Sequence, residues 1–453
     1  MAADRSSETL IALHRFGFGA RKGGADAREA ARDPRGFVLA EFNRGLGSPA
    51  PGLPASVDLP AVADQQAKRD QELRAAPPNP ATKGPAPPNL VNEAIHAEAA
   101  SWLGLGHAAP SGVCERLVNF WANHFTVSAA RGGLPRIMAG AYVREAIRPH
   151  VFGRFADMAA AVVRHPAMLT YLDNHISIGP GSKSARAGRG LNENLAREIL
   201  ELHTVGTGHS QADVNALARM LTGWTMAGRD GRLGRYGSFV FDAAAHEPGA
   251  QVLMGRSYVD AGENQAALAV RDLAALPATM QRIAWKLARH FIADQPPRDA
   301  VDALFATLRE TGGDLRAVSR RLLTLDACWR APLTKIRTPQ DHLVAIWRLL
   351  NQAPEPAPRA QQLMARMGQP LWSPPSPAGY SDLDADWATP NAVKVRYDVV
   401  VEIARSRRDD PRGLLQDAFG PAVSAATRDA VMRAESREQG LALLLLSPEF
   451  MRR

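Results

Sequence analysis

The chain has 453 residues, of which 45% are hydrophobic and 22% charged, enough apolar material for a sizeable core. Its net charge of +8 comes mostly from arginines scattered along the chain, and no basic block alternates with aromatics, so a nucleic-acid partner is not expected. No apolar run approaches the roughly 20 residues that span a bilayer, and the two cysteines, Cys114 and Cys328, sit among helix-like apolar neighbours where buried thiols fit better than a disulfide.

Residues 6–22 read as a short helix and a turn in which Gly17 and Gly19 alternate with Phe16 and Phe18. That spacing is not a nucleotide loop's, and it points to tight packing. Residues 48–90 are rich in proline and alanine, which blocks regular structure except for a helix over about 61–75. This stretch is expected to be a mobile insertion, with 48–60 and 76–90 its loosest parts, inside one domain running from 1 to 453.

Helical spacing returns at 92–105 and 113–123, where Val113, Leu117, Phe120 and His124 share a face that turns His124 inward. Asn123, His124, Thr126 and Ser128 carry more hydrogen-bonding capacity than a core segment normally spends. Residues 138–172 read as two helices broken near Pro149. Asp173 and Asn174 follow, then a Gly/Ser loop with Lys183, Arg186 and Arg189, either an anion binder at a helix start or a plain surface loop.

The stretch Gly190 to Gly206 holds the densest set of chemically capable side chains. It predicts a helix with Asn192 as N-cap and Gly206 just past its end. At about 100° per residue, Leu195, Ile199 and Leu202 form an apolar stripe opposite Glu193, Asn194, Arg197, Glu198 and Glu201, while His203 falls away from Glu198 and Glu201. Glu198 and Glu201, at i and i+3, could give two carboxylate oxygens to one metal site, or Glu193 and Glu201 could simply flank Arg197 on a solvated face.

Ser210 and Asp213 open a further helix. The alternation at 238–242 and the stretch 251–255 predict one small two-stranded β element near 236–255. From 263 onward helices dominate, interrupted by a Pro370–Pro390 loop with Trp372, Tyr380 and Trp387. The fold class is therefore mainly α.

The run Asn192-Glu-Asn-Leu-Ala-Arg-Glu198, Glu201-Leu-His-Thr204 and Leu217-Ala-Arg-Met-Leu-Thr-Gly-Trp-Thr225 resembles the signature of the bacterial domain-of-unknown-function 1800 family. So do Leu13-His-Arg-Phe-Gly-Phe-Gly19, Phe120-Trp-Ala-Asn-His-Phe-Thr-Val-Ser128, Lys286-Leu-Ala-Arg-His-Phe291 and Met367-Gly-Gln-Pro370. The resemblance brings no established chemistry. It implies a common gene neighbour, a sulfatase- or alkaline-phosphatase-like protein of the domain-of-unknown-function 1501 group, for which this chain would be a non-catalytic helical partner with the Pro370–Pro390 loop as contact surface. The family pattern has Asp where this chain has Glu247. Members often carry export signals. Met1 to Thr9 has none, which reads as cytoplasmic, with periplasmic co-export alongside a partner as the alternative.

Neither a Gly-x-Ser-x-Gly elbow, a His-Glu-x-x-His pair nor a phosphate loop occurs. What remains is a composite site in which Glu198, Arg197, His124 and Asp173 are the catalytic candidates. A divalent metal would use Glu198, Glu201, His124 and Asp173, and Asn123, Asn174, Glu193, Asn194 and His203 would complete the pocket.

Overall fold

A computed structural model describes residues 2–75, 87–186, 190–330 and 332–453, and it is built almost wholly of helices. Their ends follow from local chemistry. Pro34, Pro277, Pro339, Pro390 and Pro411 occupy first turns, where a missing N–H costs nothing, and Asp33, Asn89, Thr338 and Thr389 accept from backbone N–H groups at helix starts. Ser210 and Asp213 form the reciprocal box their spacing predicts. The expected 61–75 helix spans Leu59–Ala75, residues 51–58 form turns and a short helical turn, and 76–86 lie outside the described residues.

The β content is small but arranged otherwise than expected. Residues 239–241 pair antiparallel with Trp224–Met226, and Gln251–Leu253 pairs with Arg256–Tyr258, giving two two-stranded sheets. The second is a tight hairpin turning on Met254 and Gly255, both at positive φ. A Met-Gly turn lacks the Asn-Gly signal, so its return strand was invisible in the sequence.

The apolar side chains gather into two clusters. The larger draws on helices from residue 11 to 329, including Trp121, Phe125, Tyr142 and Leu287; the smaller joins Phe18 and Leu103 to the C-terminal helices through Leu343, Trp347, Val399 and Leu445. Gly17 supplies a close approach beside Phe16 and Phe18, since a Cβ there would stand 2.2 Å from the Ser111 carbonyl oxygen. Cys114 and Cys328 are buried and free. Among the described residues no helix is long and apolar enough to cross a membrane.

Candidate functional site

Side chains from both clusters line one cleft of about 820 Å³, measured out to its open mouth. The helix Val113–His124 forms its floor and explains how the sequence-predicted residues divide. Arg116, Asn119 and Asn123 stand at i, i+3 and i+7 and face the cleft, whereas His124, turned about 100° from Asn123, points into the core at 2% exposure.

Asn123 spends its whole amide on the Pro370–Pro390 loop. It donates to the Tyr380 carbonyl at 2.8 Å and accepts from the Tyr380 N–H at 2.7 Å. Gly379 permits this approach, because a Cβ there would come within 2.6 Å of the Asn123 amide oxygen. The loop thus folds over the cleft. Trp372, at φ 52°, stacks edge-on against Trp102 at 6.0 Å, and Trp387 is buried with its indole N–H donated to Ser381.

The helix Pro277–Phe291 presents a basic stripe, Arg282, Lys286 and His290, at i, i+4 and i+8. Arg282 donates to the Leu202 carbonyl at 3.2 Å and Lys286 to His124 Nδ1 at 3.0 Å. His290 reaches the cleft, where its Nδ1 lies 2.7 Å from the Asp382 carboxylate. Burial would push Asp382 up, but His290, Lys335 and Lys286 outweigh it and hold the carboxyl below the usual range. Lys335 also bonds the Asp382 carbonyl and Asp294.

His124 and His203 meet behind this site. His124 Nε2 lies 3.1 Å from the His203 carbonyl oxygen, which fixes Nε2 as the protonated nitrogen and leaves Nδ1 to accept from Lys286. Burial and the nearby Lys286 lower both imidazoles, His124 well below its ordinary value and His203 to about 3, so both are neutral. Burial and Arg282 lower Lys286 to about 8.

The other predicted residues lie elsewhere. Arg197 is half-exposed between Glu193 at 3.1 Å and Glu201 at 3.4 Å, with Gln211 bridging Glu193. Glu198 is half-buried, its carboxyl raised by burial and Glu201, and Asn194 is exposed. Asp173, at φ 57°, pairs with Arg131 at 2.7 Å. Asn174 is buried, donating to the Leu221 and Trp224 carbonyls. Glu247 accepts from the Gly181 N–H. Among the described residues no three His, Cys, Asp or Glu side chains gather where they could hold a metal ion. Glu198, Glu201, His124 and Asp173 therefore do not form a ligand cluster: His124 is committed to Lys286 and His203, and Asp173 to Arg131.

The segments that meet at the cleft are far apart in the chain but fall within a single family model, described as a protein of unknown function, DUF1800, which matches residues 11–452. The chain belongs to the DUF1800 family. No curated protein and no solved structure matches it. Three of the quoted motifs of this DUF1800 chain border the cleft: Asn123 and Thr126 from Phe120–Ser128, His290 from Lys286–Phe291, and Gln369 from Met367–Pro370. The sequence signal for His290 was thus present in a quoted motif, whereas Arg116, Asp341 and Asp382 carried no local pattern to mark them.

Proposed function

We propose that this DUF1800 chain is an enzyme that performs general acid–base chemistry in the cleft, with His290 as the proton carrier and Asp382 as the carboxylate that orients it. The supporting observation is the 2.7 Å pair between His290 Nδ1 and Asp382 at the cleft wall. With its Nδ1–H donated to the carboxylate, the ring offers an unprotonated Nε2, which takes part in no hydrogen bond among the described residues. Asp382 stabilises the imidazolium that forms when Nε2 accepts a proton from water or a substrate hydroxyl. Phe120, edge-on at 5.4 Å, and the loop over the cleft limit the water that competes for that proton.

A panel of chromogenic esters, phosphoesters and glycosides tests this on the purified protein. Turnover of one class is expected to fall by about a hundredfold or more in His290→Gln, with the helical circular dichroism unchanged. Turnover that survives this substitution, or its absence across the panel, counts against the reading.

A further inference from the structure

The carboxylates of the cleft lining are already committed to partners within the protein. Asp382 takes the His290 Nδ1–H at 2.7 Å, and Lys335 bonds its carbonyl. Asp341 takes Arg116 at 3.0 Å and Arg453 at 3.4 Å, and it also acts on Arg337 and Arg396. All four of these guanidiniums are buried, and that of Arg116 lies over the Phe18 and Phe291 rings. They are closed off beneath the cleft floor, so a charged ligand meets no free counter-ion among the described residues of the lining.

Uncharged hydrogen-bonding groups are what the lining leaves over. Asn119 and Gln340 are half-buried there, and their side-chain amides make no hydrogen bond among the described residues. Gln369 spends only its oxygen, on the Gln340 N–H at 2.8 Å, and keeps its NH2 group free. The three amides stand on separate elements: the helix Val113–His124, the first turn of the helix Pro339–Leu349, and the turn just before Pro370. Asn123 shows the contrast, since both halves of its amide are taken by Tyr380. A side-chain amide sets a donor beside an acceptor, which matches a hydroxyl group that does both. The same lining holds an apolar corner, where the half-buried rings of Trp102 and Trp372 meet at 76° next to Leu371.

We propose that the substrate is a neutral sugar. A pyranose ring lays a C–H face on the tryptophan corner and gives its hydroxyls to Asn119, Gln340 and Gln369. A flat aromatic ligand would use the corner and leave the amides unpaired. The cleft, about 820 Å³ out to its mouth, falls within the roughly 300–1,000 Å³ of small-molecule sites. This rests on the acid–base reading of the same cleft and names its substrate class: the hydroxyl presented to His290 Nε2 is one of the sugar's.

Saturation-transfer NMR and tryptophan fluorescence on the full chain need no turnover, so they test the two separately. The probes are the methyl pyranosides of glucose, galactose, mannose, xylose and N-acetylglucosamine, with sorbitol and phenol as controls. At least one pyranoside is expected to bind and to shift the tryptophan emission. It should bind about tenfold more tightly than sorbitol, which has the hydroxyls without a ring face, or phenol, which has a ring without the set of hydroxyls. Asn119→Ala and Gln340→Ala should each weaken it by about fivefold to tenfold, Trp372→Leu by more, and His290→Gln by no more than about threefold. If Trp372→Leu fails to fold, the two amide variants decide. No pyranoside binding, or affinity unchanged in both amide variants, overturns the proposal. Phenol bound as tightly as the best pyranoside overturns it in favour of a simple aromatic ligand. Turnover of sugar-free esters without pyranoside binding defeats this inference alone, and pyranoside binding without any turnover defeats the acid–base reading alone.

Discussion

His203 and His14 are buried imidazoles, each lowered to about 3, first by burial and then by a cation, Lys286 for His203 and Arg337 for His14. In the unfolded chain both titrate near 6.5, so between pH 6.5 and 3 the unfolded state binds more protons than the native one. Native stability is therefore full above pH 6.5 and is lost as pH falls toward 3, by up to roughly 5 kcal/mol per histidine. From pH 7 to pH 5 each should remove about 2 kcal/mol. Urea unfolding at the two pH values should show that drop shrinking by about 2 kcal/mol in His203→Gln; an identical drop in the variant would show that His203 is not the titrating group. The Glu193–Arg197–Glu201 pairs on the same segment are half-exposed and contribute only a few tenths of a kcal/mol each.

At the level of elements, the central helix shows where regular spacing stops being informative. Asn194–Glu198 is α-helical, but Ile199–His203 is a wider π-turn, so side chains beyond residue 198 are rotated from a 100° projection. Leu200 and His203 are buried, whereas Leu202, assigned to the apolar stripe, is only partly covered. The N-cap is Glu193, one residue later than expected and without a side-chain cap, although the Asn192 side chain accepts from the Asn194 N–H, and Gly206 takes the positive φ expected past the end. Caps, proline starts and the mainly helical class were legible because each rests on neighbours in sequence. The π-turn, the Met-Gly hairpin and the His290–Asp382 pair were not, since the first two break periodicity within a few residues and the third joins residues 92 apart. Thr204 closes the π-turn, with its N–H at 2.9 Å and its hydroxyl at 2.6 Å from the Ile199 carbonyl oxygen. Thr204→Val keeps the shape and removes one of these bonds, so it should cost about 1 kcal/mol in a chemical melt; a neutral result would mean the turn is set by packing alone.

Across the whole molecule, the Arg116–Asp341 pair links a helix of the larger apolar cluster to one of the smaller, over 225 positions of sequence. Asp341→Asn would leave Arg116, Arg337, Arg396 and Arg453 without their shared carboxylate, and a loss of about 3–5 kcal/mol is expected on equilibrium unfolding. A loss below about 1 kcal/mol would show that another negative group neutralises the cluster. The loop over the cleft is tied across a similar distance by the two hydrogen bonds between Asn123 and Tyr380. An irregular segment normally exchanges its amide hydrogens with deuterated water quickly, through small local openings. Here the Tyr380 N–H can be released only when the Asn123 side chain lets go, so it should exchange on the timescale of the surrounding helices. In Asn123→Ala that protection should vanish at Tyr380 while the helix Val113–His124 keeps its own.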